Sequence, residues 1–246
     1  MGGSAGRSSA EVLDEQLAYY RARAPLYDDW WDARGSDPRS EELRAAWLTE
    51  RARLEADLDE WCARLAGASV LELAAGTGNL TRVAGRHAGH VTAIDASPEV
   101  LEINAGKLGA DRNRVEFVIA DLFDWEPATT YDAVLFGFWI SHVPADRWDD
   151  FWSMVRRSVR PGGSIWFCDN ADPERGWRAG VLPRPTARFV SGDDEIDLRT
   201  RITERKLPDG RSYGWSSGSS SPTSWRASSP STVSTRQSPT RTGRFS

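Results

Sequence analysis

Residues 70–78 have the sequence VLELAAGTG, and this run predicts a buried β-strand that turns sharply into a helix. Its first five residues are mostly apolar, which is typical of a strand covered on both faces. Gly76 and Gly78 follow at once, and glycine permits a positive φ and lets a ligand approach the main chain closely. A strand, a tight turn and a helix in this order predict the first unit of a parallel α/β sheet.

Further apolar runs follow this first strand, at intervals that leave room for helices between them. Residues 97–99 are Ser-Pro-Glu, in which Ser97 is a typical helix cap and Pro98 a typical first-turn residue. Strands that alternate with helices predict an α/β fold with a mostly parallel sheet and helices on both faces. The additional strands are predicted at residues 91–94, 115–120, 131–136 and 164–168.

A pair of predicted helices precedes the sheet. The first covers residues 11–24 and is expected to stop at Pro25, because proline breaks a helix interior. The second begins after Ser40 and ends at Gly67, with apolar residues at helical spacing. Residues 1–10 are small and polar, without the apolar segment of a secretory signal, and are expected to be disordered.

The composition narrows the classes of partner. A formal net charge of −5 argues against nucleic acid, whose phosphates bind basic surfaces. No apolar run reaches the roughly 18 residues of a membrane-spanning helix, so no membrane association is expected. Cys62 and Cys168 are too few for a disulfide framework, which favours a reducing, cytoplasmic location. They also form no paired metal ligands, so no metal site is expected.

Acidic residues lie at or near the ends of the first strands, where ligands of parallel sheets bind. Glu72 lies inside the first strand, where a carboxylate needs a partner, and is expected to accept from loop amides or to face a cationic ligand. Asp95 is placed to accept the hydroxyls of a ribose, and Asp121 to accept the exocyclic amine of adenine. The third glycine of a dinucleotide fingerprint is missing, so the turn does not indicate phosphate binding.

Taken together, these features resemble the motifs of class I S-adenosylmethionine-dependent methyltransferases. The matching motifs are residues 70–78, Asp95, Asp121 with Leu122, and Arg-Pro-Gly-Gly at residues 160–163, and they span about residues 65–170. The resemblance implies a three-layer Rossmann-like sandwich, S-adenosylmethionine as cofactor and a methyl acceptor. It also implies the residues that contact the cofactor: Tyr27, Glu72, Ala74, Gly76, Gly78, Asp95, Ala96, Asp121 and Leu122.

The sequence Tyr-Asp-Asp-Trp at residues 27–30 resembles small-molecule members of this family, including the quinone-biosynthesis methyltransferases. In such proteins an N-terminal helix forms a lid over the cofactor, so residues 11–66 are expected to form a helical lid. The resemblance also favours a small-molecule methyl acceptor, which is expected beside Trp30, Phe138 and Trp139.

His142 is the candidate general base. It follows the fourth predicted strand, on the side of the sheet where the acceptor should lie, and histidine titrates near neutral pH. A base is needed only if the nucleophile of the acceptor has a proton to lose. The alternative is that His142 caps a helix or bonds a backbone carbonyl.

Other functions remain open at this point. An NAD-dependent oxidoreductase would also use Asp95 to bind a ribose, although the missing third glycine and the additional Asp121 argue against it. A catalytically impaired remnant that still binds the cofactor is the other alternative, because the C-terminal sequence departs from the family pattern.

The C-terminal strand region is expected to be incomplete. Residues 196–207 alternate as a sixth strand does, and the turn at residues 208–210 predicts a hairpin partner. The cofactor-binding domain is therefore expected over residues 67–213. Residues 214–246 are rich in Ser, Thr, Pro and Arg and are expected to be disordered, which would leave an uncovered sheet edge. A natural tail and a shifted reading frame both explain this composition.

Overall fold

The computed structural model of the chain describes residues 9–35, 37, 39–170, 202–206, 212–216 and 240–245. Its helices are α1 (Ser9–Trp31), α2 (Glu41–Ala63), α3 (Thr81–His87), α4 (Pro98–Lys107) and α5 (Trp148–Ser158). Short 3-10 turns cover Gly109–Arg114, Ile140–His142 and Ala145–Arg147. The strands are β1 (Ser69–Leu73), β2 (His90–Asp95), β3 (Val115–Ile119), β4 (Tyr131–Gly137), β5 (Val159–Asn170), β6 (Ile202–Lys206), β7 (Ser212–Ser216) and β8 (Thr240–Phe245).

The main sheet has the strand order β3-β2-β1-β4-β5-β8. Strands β1 to β5 pair in parallel, and β8 pairs antiparallel to β5 at the edge. The chain order reverses between β1 and β4, which opens a crevice at the carboxyl ends of these strands. The predicted α/β class and mostly parallel sheet are therefore confirmed.

Apolar clusters fill both faces of this sheet, because successive strand residues point to opposite sides. In β1, Val70 belongs to the cluster formed with α2 and α3, whereas Leu71 belongs to the cluster formed with α5. Trp166 of β5 is fully buried, and its indole nitrogen donates a hydrogen bond of 3.0 Å to Asp57 of α2. Helices thus cover the sheet on both sides, as the predicted three-layer sandwich requires.

Helix α1 continues past Pro25 to Trp31, so the prediction that it stops at Pro25 is wrong. Trp31 is only 2% exposed, and its carbonyl accepts from the Trp47 indole nitrogen over 2.8 Å and from Arg51 over 3.2 Å. The Arg51 cation also stabilises the negative end of the helix dipole. We infer that these tertiary contacts outweigh the roughly 3 kcal/mol by which an interior proline disfavours a helix.

The N-terminal boundary also differs slightly from the prediction. Helix α1 begins at Ser9, so the last part of the segment 1–10 is helical rather than disordered. Residues 1–8 lie outside the described residues.

The C-terminal strands correct part of the sequence prediction. The predicted hairpin is present, since β6 and β7 pair antiparallel on either side of residues 208–210, although they form a sheet of their own. The segment 214–246 was expected to be disordered, and that expectation is wrong for residues 214–216, which belong to β7, and for Thr240–Phe245, which form β8. Strand β8 also covers the edge of β5 that was expected to be open. The unpaired backbone groups of an edge strand can bond even a polar segment, which explains this pairing. Residues 217–239 lie outside the described part of the chain.

The structure shows the state of the cysteines and whether a described helix could span a membrane. Cys62 and Cys168 are both free and buried. Among the residues that the structure describes, no helix combines the length and the apolar character needed to cross a membrane.

Candidate active site

A cavity opens at the carboxyl ends of the parallel strands, at the crevice between β1 and β4, and α1 lies over it. Its empty space, including the opening to solvent, is about 980 Å³. Most of the predicted ligand-binding residues line this cavity: Tyr27, Ala74, Gly76, Asp95, Ala96, Asp121, Leu122, Phe138 and Trp139. The predicted residues that do not line it are Glu72, Gly78, Trp30 and His142.

The turn after β1 brings the main chain to the cavity. Ala74 has a φ of +52° and Gly76 a φ of +55°, both in the left-handed region. Apart from its two neighbours in the chain, the described residues bring no atom closer to a Cβ added at Gly76 than the Ala74 carbonyl oxygen at 4.0 Å, so Gly76 leaves open space for a ligand. Gly78 has a φ of +87°, and a Cβ there would overlap the side chain of Asn104. Gly78 thus makes room for α4, and its predicted contact with the cofactor stays a prediction.

Asp95 ends β2 and holds the turn in place. One oxygen of its carboxylate accepts from the Gly76 amide over 2.9 Å, and the other accepts from the Ser97 amide over 2.9 Å. Burial raises the pKa of Asp95, while the backbone hydrogen bonds oppose that shift. Each carboxylate oxygen has a second lone pair, so Asp95 can still accept hydroxyl groups from a ligand.

Asp121 follows β3 at the next strand end. Its Oδ1 accepts from the Phe123 amide over 2.9 Å, which orders the start of the loop. Its neighbour Leu122 is 6% exposed and adds an apolar surface to the cavity wall. The side chain of Asp121 is exposed, so it lies at the cavity opening with capacity to accept a further hydrogen bond.

Glu72 is buried in β1, behind the cavity wall, with 1% of its surface exposed. Burial raises the pKa of Glu72 to about 8, a hydrogen bond with the Thr81 side chain opposes the shift, and the nearby Asp95 charge adds to it. Its Oε2 has no hydrogen-bond partner among the described residues. The partner seen for Glu72 is thus a hydroxyl, not the loop amides that the sequence suggested.

Replacing Glu72 with Gln is expected to change how stability depends on pH. The folded-state pKa of about 8 lies above the usual 4.5, so the folded state binds the extra proton between these values. Wild-type stability therefore falls as pH rises from about 5 to 8, by at most about 1.4 kcal/mol per pH unit from this group. Glu72→Gln lacks this loss and gains relative stability over the same interval. Denaturant unfolding of both proteins at pH 5, 6, 7 and 8 measures their free energies of unfolding and so the difference between them.

The matched control for this prediction is Glu60→Gln, because Glu60 is an exposed carboxylate on α2. Its stability curve is expected to run parallel to that of the wild type. Parallel curves for Glu72→Gln as well would contradict the raised pKa.

Helix α1 supplies the wall opposite the strand ends. Leu17, Tyr20, Ala24 and Tyr27 recur at spacings of one helical turn, so they share a face, and all of them line the cavity together with Asp14. Burial raises the pKa of the Tyr27 hydroxyl to about 12, so this group is neutral at physiological pH. Apart from Tyr27, these residues were not identified as site residues from the sequence, although their helical spacing was visible there.

The predicted acceptor residues divide between two layers. Phe138 and Trp139 follow β4 and line the cavity, and Phe138 has a φ of +56°, which is unusual for a bulky residue. Trp30 lies behind them, with its ring centroid 4.6 Å from that of Trp47 and 6.0 Å from that of Phe138. Trp30 therefore supports the cavity wall through Phe138 rather than forming it.

His142 also lies one layer behind the cavity. It ends the 3-10 turn Ile140–His142 and is 8% exposed. Its ring meets Tyr20 edge-on, with centroids 5.9 Å apart, and its centroid is 6.3 Å from that of Trp139. Both of these aromatic residues line the cavity, so His142 contacts the wall without being part of it.

Residues 70–163 match a family model described as a methyltransferase domain. Among curated proteins, the demethylmenaquinone methyltransferase of Clavibacter sepedonicus is 36% identical over 114 residues, which are 45% of this chain and 44% of that protein. A ubiquinone biosynthesis O-methyltransferase of Xanthomonas oryzae pv. oryzae is 31% identical over 150 residues, covering 58% of this chain and 57% of that protein. The matches thus span about half the length of these curated relatives.

Two solved structures of DhpI, one with SAH and one with SAM and HEP, are each 36% identical to this chain. The SAH complex has a TM-score of 0.59 and aligns over 85% of this chain and 81% of that one. The SAM-HEP complex has a TM-score of 0.60 over 86% of this chain and 84% of that one. The N-methyltransferase NodS of Bradyrhizobium japonicum, at 15% identity and a TM-score of 0.55 over 94% of this chain and 98% of that one, shares the fold.

The strand-end cavity, the family model and these relatives define a Rossmann-like methyltransferase. The chain belongs to the S-adenosylmethionine-dependent methyltransferases, and its relatives include quinone-biosynthesis enzymes, as the motifs predicted. S-adenosylmethionine is the cofactor of this family. The alternative of an NAD-dependent oxidoreductase is not favoured.

Proposed function

We propose that this protein transfers the methyl group of S-adenosylmethionine to a small-molecule acceptor bound beneath α1. The observation that carries this proposal is the geometry of Asp95. Its carboxylate is fixed by the amides of Gly76 and Ser97 and faces a cavity at the point where the strand order reverses. A rigid acceptor of hydrogen bonds at this position suits a ribose.

The residues present fit the cofactor. Gly76 leaves open space where a Cβ would stand. Close behind the same turn, Glu72 has a buried oxygen that finds no hydrogen-bond partner in the described part of the chain. We assign the ribose hydroxyls to Asp95 and the adenine amine to Asp121, with Ala96 and Leu122 beside the base. Glu72 would then lie behind the methionine part, and because its pKa is raised to about 8 it would balance a positive charge there only after releasing its proton when the cofactor binds. When bound, the cofactor supplies an electrophilic methyl group on a sulfonium.

The residues of the chain mainly hold the two reactants in position and exclude water from the cavity. The α1 face with Leu17, Tyr20 and Tyr27 closes the cavity from above, and Phe138 and Trp139 close it from the β4 side. Holding two reactants in a near-attack arrangement is worth up to about 7–11 kcal/mol, and a general base is needed only where the nucleophile of the acceptor has a proton to lose. This apolar enclosure supports a small acceptor rather than a macromolecular one.

His142 is the proposed group for taking a proton from the acceptor, and because it lies one layer behind the cavity, the proposal requires a bridging water to carry the proton. His142→Gln is expected to lower the transfer rate by about 10-fold or more and to remove a rate dependence near pH 6–7, because glutamine cannot accept the proton. Initial rates from pH 5.5 to 8.5 measure both effects. His87→Gln is the matched control, since His87 pairs with Asp59 on the α2 side over 2.9 Å. A wild-type profile in His142→Gln would make His142 structural.

The experiment that tests the function follows a labelled methyl group. The protein is incubated with methyl-labelled S-adenosylmethionine and a panel of acceptors that includes reduced demethylmenaquinone and ubiquinone precursors, chosen from the relatives' names. S-adenosylhomocysteine and labelled product are expected to form only when an acceptor is present. Tight cofactor binding without transfer to any acceptor would favour the impaired-remnant alternative. The predicted cytoplasmic location stays a prediction.

A further inference from the structure

A polar cluster joins α1 to the turn after β1 and to the end of α4. The Asp28 carboxylate accepts from the Thr77 hydroxyl over 2.9 Å and from the Asn79 side-chain amide over 3.2 Å. The Lys107 ammonium lies 2.7 Å from the same carboxylate and also donates to the Asn79 carbonyl oxygen over 3.2 Å. Segments that are far apart in sequence therefore meet at Asp28.

The Asp28–Lys107 pair is sheltered from solvent. Each side chain is only 24% exposed, so water and salt screen this pair less than a surface pair, and breaking it leaves a charge without its partner. Burial lowers the pKa of Lys107, and the hydrogen bond that Lys107 donates to the Asp28 carboxylate opposes that shift. A second pair between α1 and α4, Arg21–Glu99, has side chains 45% and 51% exposed and a longer separation of 3.6 Å.

Neither Asp28 nor Lys107 lines the cavity, but the residues next to Asp28 and bonded to it do. Tyr27 precedes Asp28 in the helix, and Thr77 follows Gly76, whose amide donates to Asp95. The contacts of Asp28 therefore fix two parts of the cavity at once: the α1 wall and the turn that holds Asp95.

We propose that Asp28, paired with Lys107, is a positioning residue that docks α1 onto the turn at residues 76–79 and so determines how tightly the cofactor is held. This inference rests on the proposed methyl-transfer function. If the docked conformation falls from almost fully populated to about one tenth, the apparent cofactor affinity falls about 10-fold. The rate at saturating cofactor changes little, because bound cofactor restores the docked state.

The test compares Asp28→Asn, Lys107→Met and the double variant with the wild type. Each single variant is expected to raise the Kd and the KM for S-adenosylmethionine about 10-fold, with kcat within about twofold. The double variant is expected to bind no more weakly than the single variants, because both remove the same interaction. Glu99→Gln, which removes the charge of the exposed pair and can still accept from the Ser97 hydroxyl, is the matched control and is expected to behave as the wild type. Lys107→Arg keeps the charge and is expected to retain most of the affinity.

An unchanged Kd in Asp28→Asn, or a lower kcat with an unchanged KM, would overturn the proposal. Amide hydrogen exchange of the cofactor-free protein separates this outcome from a failure of the proposed function. Exchange in α1 and in residues 76–79 is expected to be faster in Asp28→Asn than in the wild type or Glu99→Gln, whether or not an acceptor is found. Equal exchange in all of these proteins would show that Asp28 does not dock α1.

Discussion

Replacing Asp95 with Ala is expected to weaken S-adenosylmethionine binding by about 10–100-fold, because hydrogen bonds to a charged group contribute about 1.5–3 kcal/mol each. The structure adds a second cause. Asp95 also accepts from the amides of Gly76 and Ser97, so alanine releases the turn that leaves open space for the ligand. The lost hydrogen bonds and the released turn both weaken cofactor binding.

Isothermal titration calorimetry with S-adenosylmethionine and S-adenosylhomocysteine measures the loss of affinity, and thermal unfolding checks that Asp95→Ala is folded. Asp124→Ala removes an exposed carboxylate that does not line the cavity and is the matched control for the change in net charge. Wild-type affinity in Asp95→Ala would remove Asp95 from the cofactor site and, with it, the ribose assignment.

Deletion of residues 1–24 is expected to lower methyl transfer by roughly 100-fold or more, since an opened cavity admits water and no longer holds the reactants in place. This deletion removes Leu17, Tyr20 and Ala24 from the cavity wall. It keeps Trp31, which is 2% exposed in the core, and it keeps Asp28. A longer deletion through residue 35 would also uncover the core that Trp31 fills.

The truncated protein is expected to retain a folded sheet, which far-UV circular dichroism and cooperative unfolding measure. Deletion of residues 1–8 alone, which precede α1, is the control and is expected to leave the transfer rate unchanged. Full turnover after removal of residues 1–24 would show that this part of α1 only packs against the sheet and does not close the cavity.

The sequence was sufficient to locate the strand-end residues of the site. Asp95 and Asp121 follow apolar runs directly, and the carboxyl ends of parallel strands share one edge, so their convergence follows from the pattern alone. The sequence did not distinguish the surroundings of the two glycines in the turn. Gly76 and Gly78 are equivalent in sequence, and the structure separates them: Gly76 lines the cavity, whereas Gly78 packs against Asn104 of α4.

Tertiary contacts explain the features that the pattern did not predict. Pro25 lies inside α1 because the end of that helix is held by Trp47 and Arg51, which belong to another helix. The proposed role of Asp28 depends on its contacts with Thr77, Asn79 and Lys107. These residues are so far from Asp28 in the chain that no local sequence pattern predicts the contacts. Strand β8 pairs along an edge that its own composition did not indicate.

Calorimetric titration of the unmodified chain with S-adenosylmethionine, and separately with NAD, tests the central claim most directly. Saturable binding of one S-adenosylmethionine per chain, with no heat from NAD, is the expected result, because the cavity offers carboxylates for a nucleoside and lacks the glycine pattern of a dinucleotide site. Saturable binding of NAD with no binding of S-adenosylmethionine would contradict it.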